Sequence, residues 1–314
     1  MYKNKKIAVV VPAYNEEKLI RKTILTIPKY VDKIIIIDDN SVDNTLQIVK
    51  NLFKKNPSKI IIFHHKKNIG VGAAIKTGYR KAININVDIV AVMAGDAQMD
   101  PFLLHNLLDP IIDEKSDYTK GNRLTHKEKI KMPKFRAFGN GLLTFLTKIS
   151  SGYWSIIDPQ NGYTAISKKA LKSIDINDIF DGYGYPNDLL VKLNLANLRV
   201  KDVEMPPIYE SEQSNIKITS YSAKLIKILI KGFFKRIWGQ YGGVNFHPLF
   251  FFYMLGFLLF PIGIFMSVYI VIGRILFGSY SIGTVILTTL LIILGFQSLI
   301  FAMMFDMQSK NSYK

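Results

Sequence analysis

Residues 249–272 and 282–305 are two almost unbroken apolar runs, and they constrain the fold of this 314-residue chain more than any other feature. Each is longer than the ~20 residues that a helix needs to cross the hydrocarbon core of a bilayer. Pro261 and several glycines lie inside the first run, which a membrane helix tolerates. Only the short stretch GRILFGSYS joins the two. The pair therefore predicts a transmembrane hairpin, with buried helices of a soluble core as the competing reading. Residues 1–220 have the mixed texture of a water-soluble domain. The change of texture predicts three regions: a domain over 1–219, a linking region over 220–245, and the hairpin with a short tail over 246–314.

The linking region reads SYSAKLIKILIKGFFKRIWGQYGG at residues 220–243. Lys224, Lys227, Lys231 and Lys235 recur at intervals of three and four, which places them on one helical face. Leu225, Ile228, Leu229, Phe233 and Ile237 take other faces, and Trp238 and Tyr241 stand near the end. This predicts an amphipathic helix in the membrane interface, basic side to the lipid phosphates; a solvated basic helix is the alternative. The formal charge of +17, from 41 Lys and Arg against 24 Asp and Glu, has a use at such a surface. With no nucleic-acid-binding motif in view, no nucleic-acid partner is expected. Lys310 and Lys314 follow the second run, while the loop between the runs carries only Arg274. That asymmetry predicts an integral membrane protein with the domain and both termini in the cytoplasm. The opening MYKNKKIAVVVPAYNEE is too briefly apolar for a signal-peptide core and is expected to be a first strand. Cysteine is absent, so thiolate chemistry, disulfides and cysteine-based zinc sites are excluded.

Apolar, mostly β-branched runs recur at 7–11, 33–37, 59–63 and 88–93, with helical patterns at 16–26, 43–53 and 71–83 between them. Strands that are apolar at every position are covered on both faces, as in parallel sheets. The alternation predicts a doubly wound α/β sheet, whose ligand lies beyond the carboxyl ends of its strands. Polar residues follow each run: Pro12-Ala13-Tyr14-Asn15-Glu16, Asp38-Asp39-Asn40-Ser41-Val42-Asp43, Asn68-Ile69-Gly70-Val71-Gly72, and Asp96-Ala97-Gln98. Any one of these reads equally as a turn or a helix cap. Four at one edge read as a nucleotide site. Further on, a strand at 118–120, a helix at 136–149, a turn at 158–163 before a strand at 164–166, a helix from about 187, and a closing strand at 200–203 are expected.

The stretch AVMAGDAQMDP, residues 91–101, puts oxygen-bearing side chains where a strand ends, the setting of a metal or phosphate site. It supplies one carboxylate at the tip, Asp96, and has Ala94 two residues earlier. Asp100 precedes Pro101 and reads as a cap for a helix starting there.

Taken together, VVVPAYNEE, IDDNSVDNT, NIGVGAAIKTGY, AGDAQMDP, GNRL, DPQNGY and the paired C-terminal runs resemble family 2 glycosyltransferases of the GT-A fold. The likeness covers essentially the whole chain and is strongest to the polyprenyl-phosphate (dolichyl-phosphate) sugar synthases. It implies a Rossmann-like mixed sheet with helices on both faces, interfacial amphipathic helices and a C-terminal two-helix hairpin. By resemblance, Pro12, Tyr14 and Glu16 line the base and ribose pocket, Asp39 contacts the nucleoside, and Gly72 and Lys76 sit near it. Asp96 and Gln98 take the metal-binding positions for Mg²⁺ or Mn²⁺. Arg123 and Arg136 bind phosphates. Asp158 and Gln160 match an acceptor-side element, with Asn161 in place of its Ser. Ser214 lies where the family holds the acceptor phosphate. The implied catalytic set is Asp96, Asp158, Arg123 and Arg136, and the implied reaction is inverting transfer of one sugar from a GDP-mannose or UDP-glucose type of donor to polyprenyl or dolichyl phosphate.

The family pattern has two aspartates before the Gln; here the first is Ala94. Mg²⁺ keeps several waters and needs one or two carboxylates plus substrate phosphates, so Asp96 and Gln98 with a diphosphate can suffice. A lipid phosphate is already anionic near neutral pH and attacks without a strong general base. The rival readings are transfer to another membrane glycolipid or polysaccharide, and a silent nucleotide-sugar-binding scaffold. A processive synthase would carry Gln-x-x-Arg-Trp, for which Lys235-Arg236-Ile237-Trp238 lacks both the Gln and the spacing. The hairpin also offers a surface for a homo-oligomer.

Overall fold

The computed structural model describes residues 1–125, 134–206, 218–242, 247–278 and 281–311. The four apolar runs form β1 (Ile7–Ala13), β2 (Lys33–Asp38), β3 (Ile60–His64) and β4 (Ile89–Val92). Every residue of β1 is buried, as a strand covered on both faces must be. β1 pairs in parallel with β2 and β4, and β2 with β3. Three later strands complete the sheet: β5 (Tyr118–Asn122), β6 (Thr164–Ser167) and β7 (Val200–Glu204). The order is β3-β2-β1-β4-β6-β5-β7. β6 runs antiparallel to both β4 and β5, while β5 and β7 are parallel. The parallel arrangement thus holds for the first four strands, and β6 makes the sheet mixed.

Helices cover both faces. α1 (Ile20–Thr26), α2 (Thr45–Lys55) and α4 (Leu104–Ile112) bury Ile20, Val49 and Leu108 against Val9, Ile36 and Ala91. On the other face, α3 (Val71–Asn84), α6 (Lys168–Ser173) and α7 (Tyr185–Leu195) bury Tyr79, Ala170 and Leu189 against Val10, Ile35 and Val90. α5 (Lys134–Ser151) adjoins α7. α1 begins four residues later than the pattern predicts, and the reason is local. The N–H groups of Asn15, Glu16 and Glu17 are taken by Ser41 Oγ, Thr45 Oγ1 and Asp43 Oδ2 at 3.0, 2.7 and 3.1 Å, so this stretch is tied to its neighbour loop rather than coiled. The helix expected to start at Pro101 opens as a short 3₁₀ turn and continues as α4, where Leu104, Leu107, Leu108 and Ile111 keep a helical period on the buried side.

The chain divides into two compact units, Met1–Phe233 and Phe234–Lys314. In the first, the early turns of α8 (Ile218–Tyr241) bury Leu225, Leu229 and Phe233. Ser150 Oγ donates to Leu229 O at 2.7 Å, and a Cβ on Gly232 would lie 3.0 Å from Val191 Cγ2. Lys224, Lys227 and Lys231 are exposed, and so are Ile226 and Ile230. One apolar stripe therefore packs on the domain while a second one faces outward beside the lysines.

The second unit holds the end of α8 with α9 (Pro248–Phe277) and α10 (Ile282–Asn311), each of 30 residues and so about 45 Å long. Both are apolar and long enough to cross a membrane, and most of their surface is left uncovered. They approach closely at Gly295, where a Cβ would stand 2.5 Å from Phe260 N; small residues permit such helix contacts. Arg236, which by sequence belongs to the basic linking region, is fully buried. It meets Asp306 of α10 through a two-pronged ion pair, Nη1–Oδ1 at 2.7 Å and Nη2–Oδ2 at 2.8 Å.

Candidate active site

The carboxyl ends of β1, β2, β4, β5 and β7 and the beginning of β6 lie along one sheet edge. Pro12 is buried in β1, and its carbonyl accepts from Gly95 N at 3.1 Å, which prolongs the β1–β4 pairing into the 94–100 turn. Tyr14 is exposed and Glu16 half-buried at the mouth. Asn15 has the left-handed φ of 55° that swings the chain across this edge.

Asp39 is buried and occupied by its own chain. It accepts from Ile69 N at 3.1 Å and Gly70 N at 2.8 Å, and lies 2.7 Å from His65 Nδ1. His65 Nε2 stands 3.0 Å from Thr77 Oγ1. A neutral ring protonated at Nδ1 donates to Asp39 and accepts from Thr77. Asp39 thus shapes the 65–70 loop, and His65, which the sequence did not single out, helps hold it. At Gly72 a Cβ would overlap Phe180 O. Lys76 is likewise engaged, its ammonium paired with Asp181.

In the 94–100 turn, Gln98 N donates to Asp96 Oδ1 at 3.1 Å, and Ala97 between them takes φ 56°. Asp100 accepts from Phe102 N at 2.8 Å and caps the short turn at Pro101–Leu103, as its place before proline predicts. Asp96 and Gln98 stay half-buried at the strand tip. Among the described residues no group of three or more His, Cys, Asp or Glu is placed to hold a metal ion.

The 157–163 turn lies at the same edge and touches the 94–100 segment. Asp158 is buried and receives a fork from Arg123: Nε to Oδ2 at 2.8 Å and Nη2 to Oδ1 at 3.3 Å, with Arg123 N at 3.3 Å from Oδ2. The Arg123 side chain keeps 41% of its surface exposed. Gln160 Nε2 is shielded from solvent and has no hydrogen-bond partner among the described residues. Asn161 Nδ2 donates to Gly121 O at 2.9 Å and its Oδ1 accepts from Tyr163 N at 3.0 Å. Tyr163 in turn donates to Asp100 O at 2.9 Å, joining this turn to the 94–100 segment. Beneath the turn two charges that the sequence reading passed over come into view. Lys120 is fully buried and donates to Asn161 O, and burial lowers its ammonium to about 8. Asp202 accepts from Ile157 N at 2.6 Å, and burial raises its carboxyl to about 6. Their signal was a charged residue inside a short, otherwise uncharged or alternating strand. Arg136 falls on α5, its side chain outside the described residues, and Ser214 lies outside them altogether. Asp188 does not cap its helix: it accepts from Phe180 N at 2.8 Å and from Lys192 Nζ at 2.7 Å.

This fold is similar to that of glucosyl-3-phosphoglycerate synthase from Mycobacterium tuberculosis, with a TM-score of 0.56 and 20% identity over 73% of this chain and 80% of that one. A mixed sheet of this order with its polar strand edge is the frame of a GT-A glycosyltransferase. The chain belongs to glycosyl transferase family 2, whose family model matches residues 8–175. It is 33% identical over 219 residues to a UDP-N-acetylglucosamine–dolichyl-phosphate N-acetylglucosaminyltransferase of Methanococcus voltae, covering 66% of this chain and 87% of that protein. A dolichol-phosphate mannosyltransferase of Pyrococcus furiosus is 26% identical over 64% of this chain and 55% of its own length. A polyprenol monophosphomannose synthase of Mycolicibacterium smegmatis is 22% identical over 68% of this chain and 81% of its own.

Proposed function

We propose that this glycosyltransferase moves one sugar, with inversion, from a nucleotide-sugar to dolichyl or another polyprenyl phosphate at the cytoplasmic face of a membrane. The observation that carries this reading is the Arg123–Asp158 fork, an arginine with part of its side chain exposed, fixed on the 157–163 turn that Tyr163 ties to the 94–100 segment. A planar guanidinium held in place offers a strong donor fork to phosphate oxygens. The names of the relatives support the acceptor class, since several transfer sugars to dolichyl or polyprenol phosphate.

Pro12, Tyr14 and Glu16 border the nucleoside, and Asp39 shapes that pocket through the 65–70 loop. Arg123, with Arg136 and Ser214, receives phosphate oxygens, and the unpartnered Gln160 Nε2 donates to another. The acceptor oxygen is anionic near neutral pH, so no residue here needs to remove a proton from it. Asp158, held by Arg123, orients that guanidinium instead of acting as a base. Asp96 and Gln98 are hard oxygen donors of the kind Mg²⁺ or Mn²⁺ takes, and fit such an ion only together with substrate oxygens. A neighbour of the same fold was crystallised with Mn²⁺ and UDP. When bound, the ion would neutralise charge developing on the leaving diphosphate. α9 and α10 anchor the chain in the bilayer, and the exposed lysines of α8 face lipid phosphates.

Purified protein is incubated with polyprenyl phosphate and radiolabelled UDP-N-acetylglucosamine, UDP-glucose or GDP-mannose, with and without Mg²⁺ or Mn²⁺. Label enters the lipid fraction with one donor, needs the ion, and falls by about 10²-fold or more in Asp96→Ala. Absence of transfer from every donor, with nucleotide binding intact, would favour the scaffold reading.

A further inference from the structure

We propose that Lys120 is a positioning residue for sugar transfer: its buried ammonium fastens the 157–161 turn from beneath, so that Asp158 holds the Arg123 guanidinium against substrate phosphate. The proposal rests on the transferase reading above.

Lys120 lies within β5, with Thr164 of β6 and Asp202 of β7 as its ladder neighbours. None of its surface is exposed. Lysine is almost never buried so completely unless it is paired, and burying a charge is strongly unfavourable without compensation. An apolar side chain of similar length would avoid that penalty, because replacing buried ions by hydrophobic groups is often neutral or stabilising. Filling space therefore does not account for an ammonium here. Its position does. It donates to the carbonyl of Asn161, the residue whose amide is already bound to Gly121 O at 2.9 Å. One residue before the turn's aspartate, Ile157 N is held by Asp202 at 2.6 Å. The turn is thus pinned at both ends to β5 and β7, and Asp158 sits between the pins.

Charge makes the second argument. The groups whose fields reach Lys120 are Asp158 from the turn, Asp202 from β7 and Arg123 from the end of β5. Two cations balance two carboxylates. If the ammonium is removed, the cluster becomes net anionic at the place where a diphosphate and a lipid phosphate must approach.

The lysine titrates near pH 8 in the folded chain, against an ordinary value of 10.5. Between these values the unfolded chain binds a proton that the native one lacks. Lys120 then contributes increasing stability as pH rises through that window. Activity that depends on its charge falls over the same window. The two readouts move in opposite directions, which separates positioning from mere support of the fold.

The test compares wild type, Lys120→Met and Lys120→Arg as full-length protein in detergent, with labelled donor and polyprenyl phosphate across neutral and alkaline pH. Thermal melts and donor binding by calorimetry accompany the kinetics. Lys120→Met is expected to melt and bind donor like wild type while kcat falls by about 10–100-fold, the effect of a small misplacement of a reacting group. Wild-type kcat should decline through pH about 8. Lys120→Arg should exceed Lys120→Met in activity and lack that decline, since arginine does not titrate there. Wild-type kcat and an unchanged alkaline limb in Lys120→Met overturn the proposal. Should that variant not fold, an alkaline limb retained in Lys120→Arg overturns it equally. If wild type transfers no sugar from any donor, the transferase reading fails and the proposal falls with it; if wild type transfers and the variants match it, only the proposal fails.

Discussion

Asp39 and Asp202 both bind their own backbone, and only one of them announced itself in the sequence. Asp39 stands at a strand end in a run of Asp, Asn and Ser, a composition that marks a loop with chemistry. Asp202 stands inside β7, where its burial depends on β5 beside it and on the remote 157–163 turn above it. Lys120 was hidden for the same reason. A charged residue in a five-residue strand looks like a solvent-facing position until the sheet order shows what covers it. Burial has a measurable consequence at Asp202. Its carboxyl is raised from 3.8 to about 6, so the native state holds a proton that the unfolded chain releases first. The contribution of this group is full below pH 3.8 and is lost as pH rises through about 6. Asp202→Asn keeps an oxygen for Ile157 N and carries no charge. It is expected to melt at or above the wild-type temperature at neutral pH, with the gain vanishing towards pH 4, in melts recorded across that range. A lower melting temperature at neutral pH would mean that the ionised carboxylate stabilises the fold.

At the scale of elements, most of the helices and strands were legible because their apolar period is strong, and the departures have particular causes. α1 is short where two of its prospective N–H groups, and that of Asn15 just before them, are tied to the 41–45 loop. Gly72, in the first turn of α3, has no side chain because the backbone at Phe180 occupies that space, a partner more than a hundred residues away. α8 was read correctly as basic and amphipathic, yet its sequence could not show that Arg236 turns inward to Asp306 while its lysines stay outside. Breaking a buried pair leaves one uncompensated charge, whereas removing both partners does not. Arg236→Met is therefore expected to destabilise the protein by about 3–5 kcal/mol, and Arg236→Met with Asp306→Leu to recover most of that loss. Unfolding in detergent measures both; a double variant no better than the single one would show that the pair is not the source of the effect.

For the whole molecule, the sheet order was the part that the first hundred residues could not disclose, since those strands are all parallel and the reversal comes at β6. The polar strand ends after β1, β2 and β4 were legible as one edge of the sheet. The 157–163 turn stood out only through family likeness, because it precedes its strand. The proposed topology is open to a direct check, as the chain has no cysteine. A single cysteine at Ser281, between the two long helices, should react with a membrane-impermeant maleimide in intact cells. One at the exposed Ser173 should react only after permeabilisation. The reverse pattern would turn the protein over in the membrane. Because β6 runs against its neighbours, it delivers to the edge the chain that comes before it, whereas the parallel strands deliver the chain that comes after them. Besides the β4–β6 ladder, the portion ending at Asp100 meets the later portion at Tyr163 OH on Asp100 O, at Gly162 beside Met99, and along α3, where Gly72 lies against Phe180 and Lys76 pairs with Asp181. The Arg123–Asp158 fork and its fastening by Lys120 lie wholly in the later portion. A molecule wired in this way invites recombination: under the proposed function, one breakpoint between β4 and β5, with the α3 contacts at Phe180 and Asp181 matched, exchanges the half proposed to grip the sugar nucleotide and keeps the half proposed to meet the lipid.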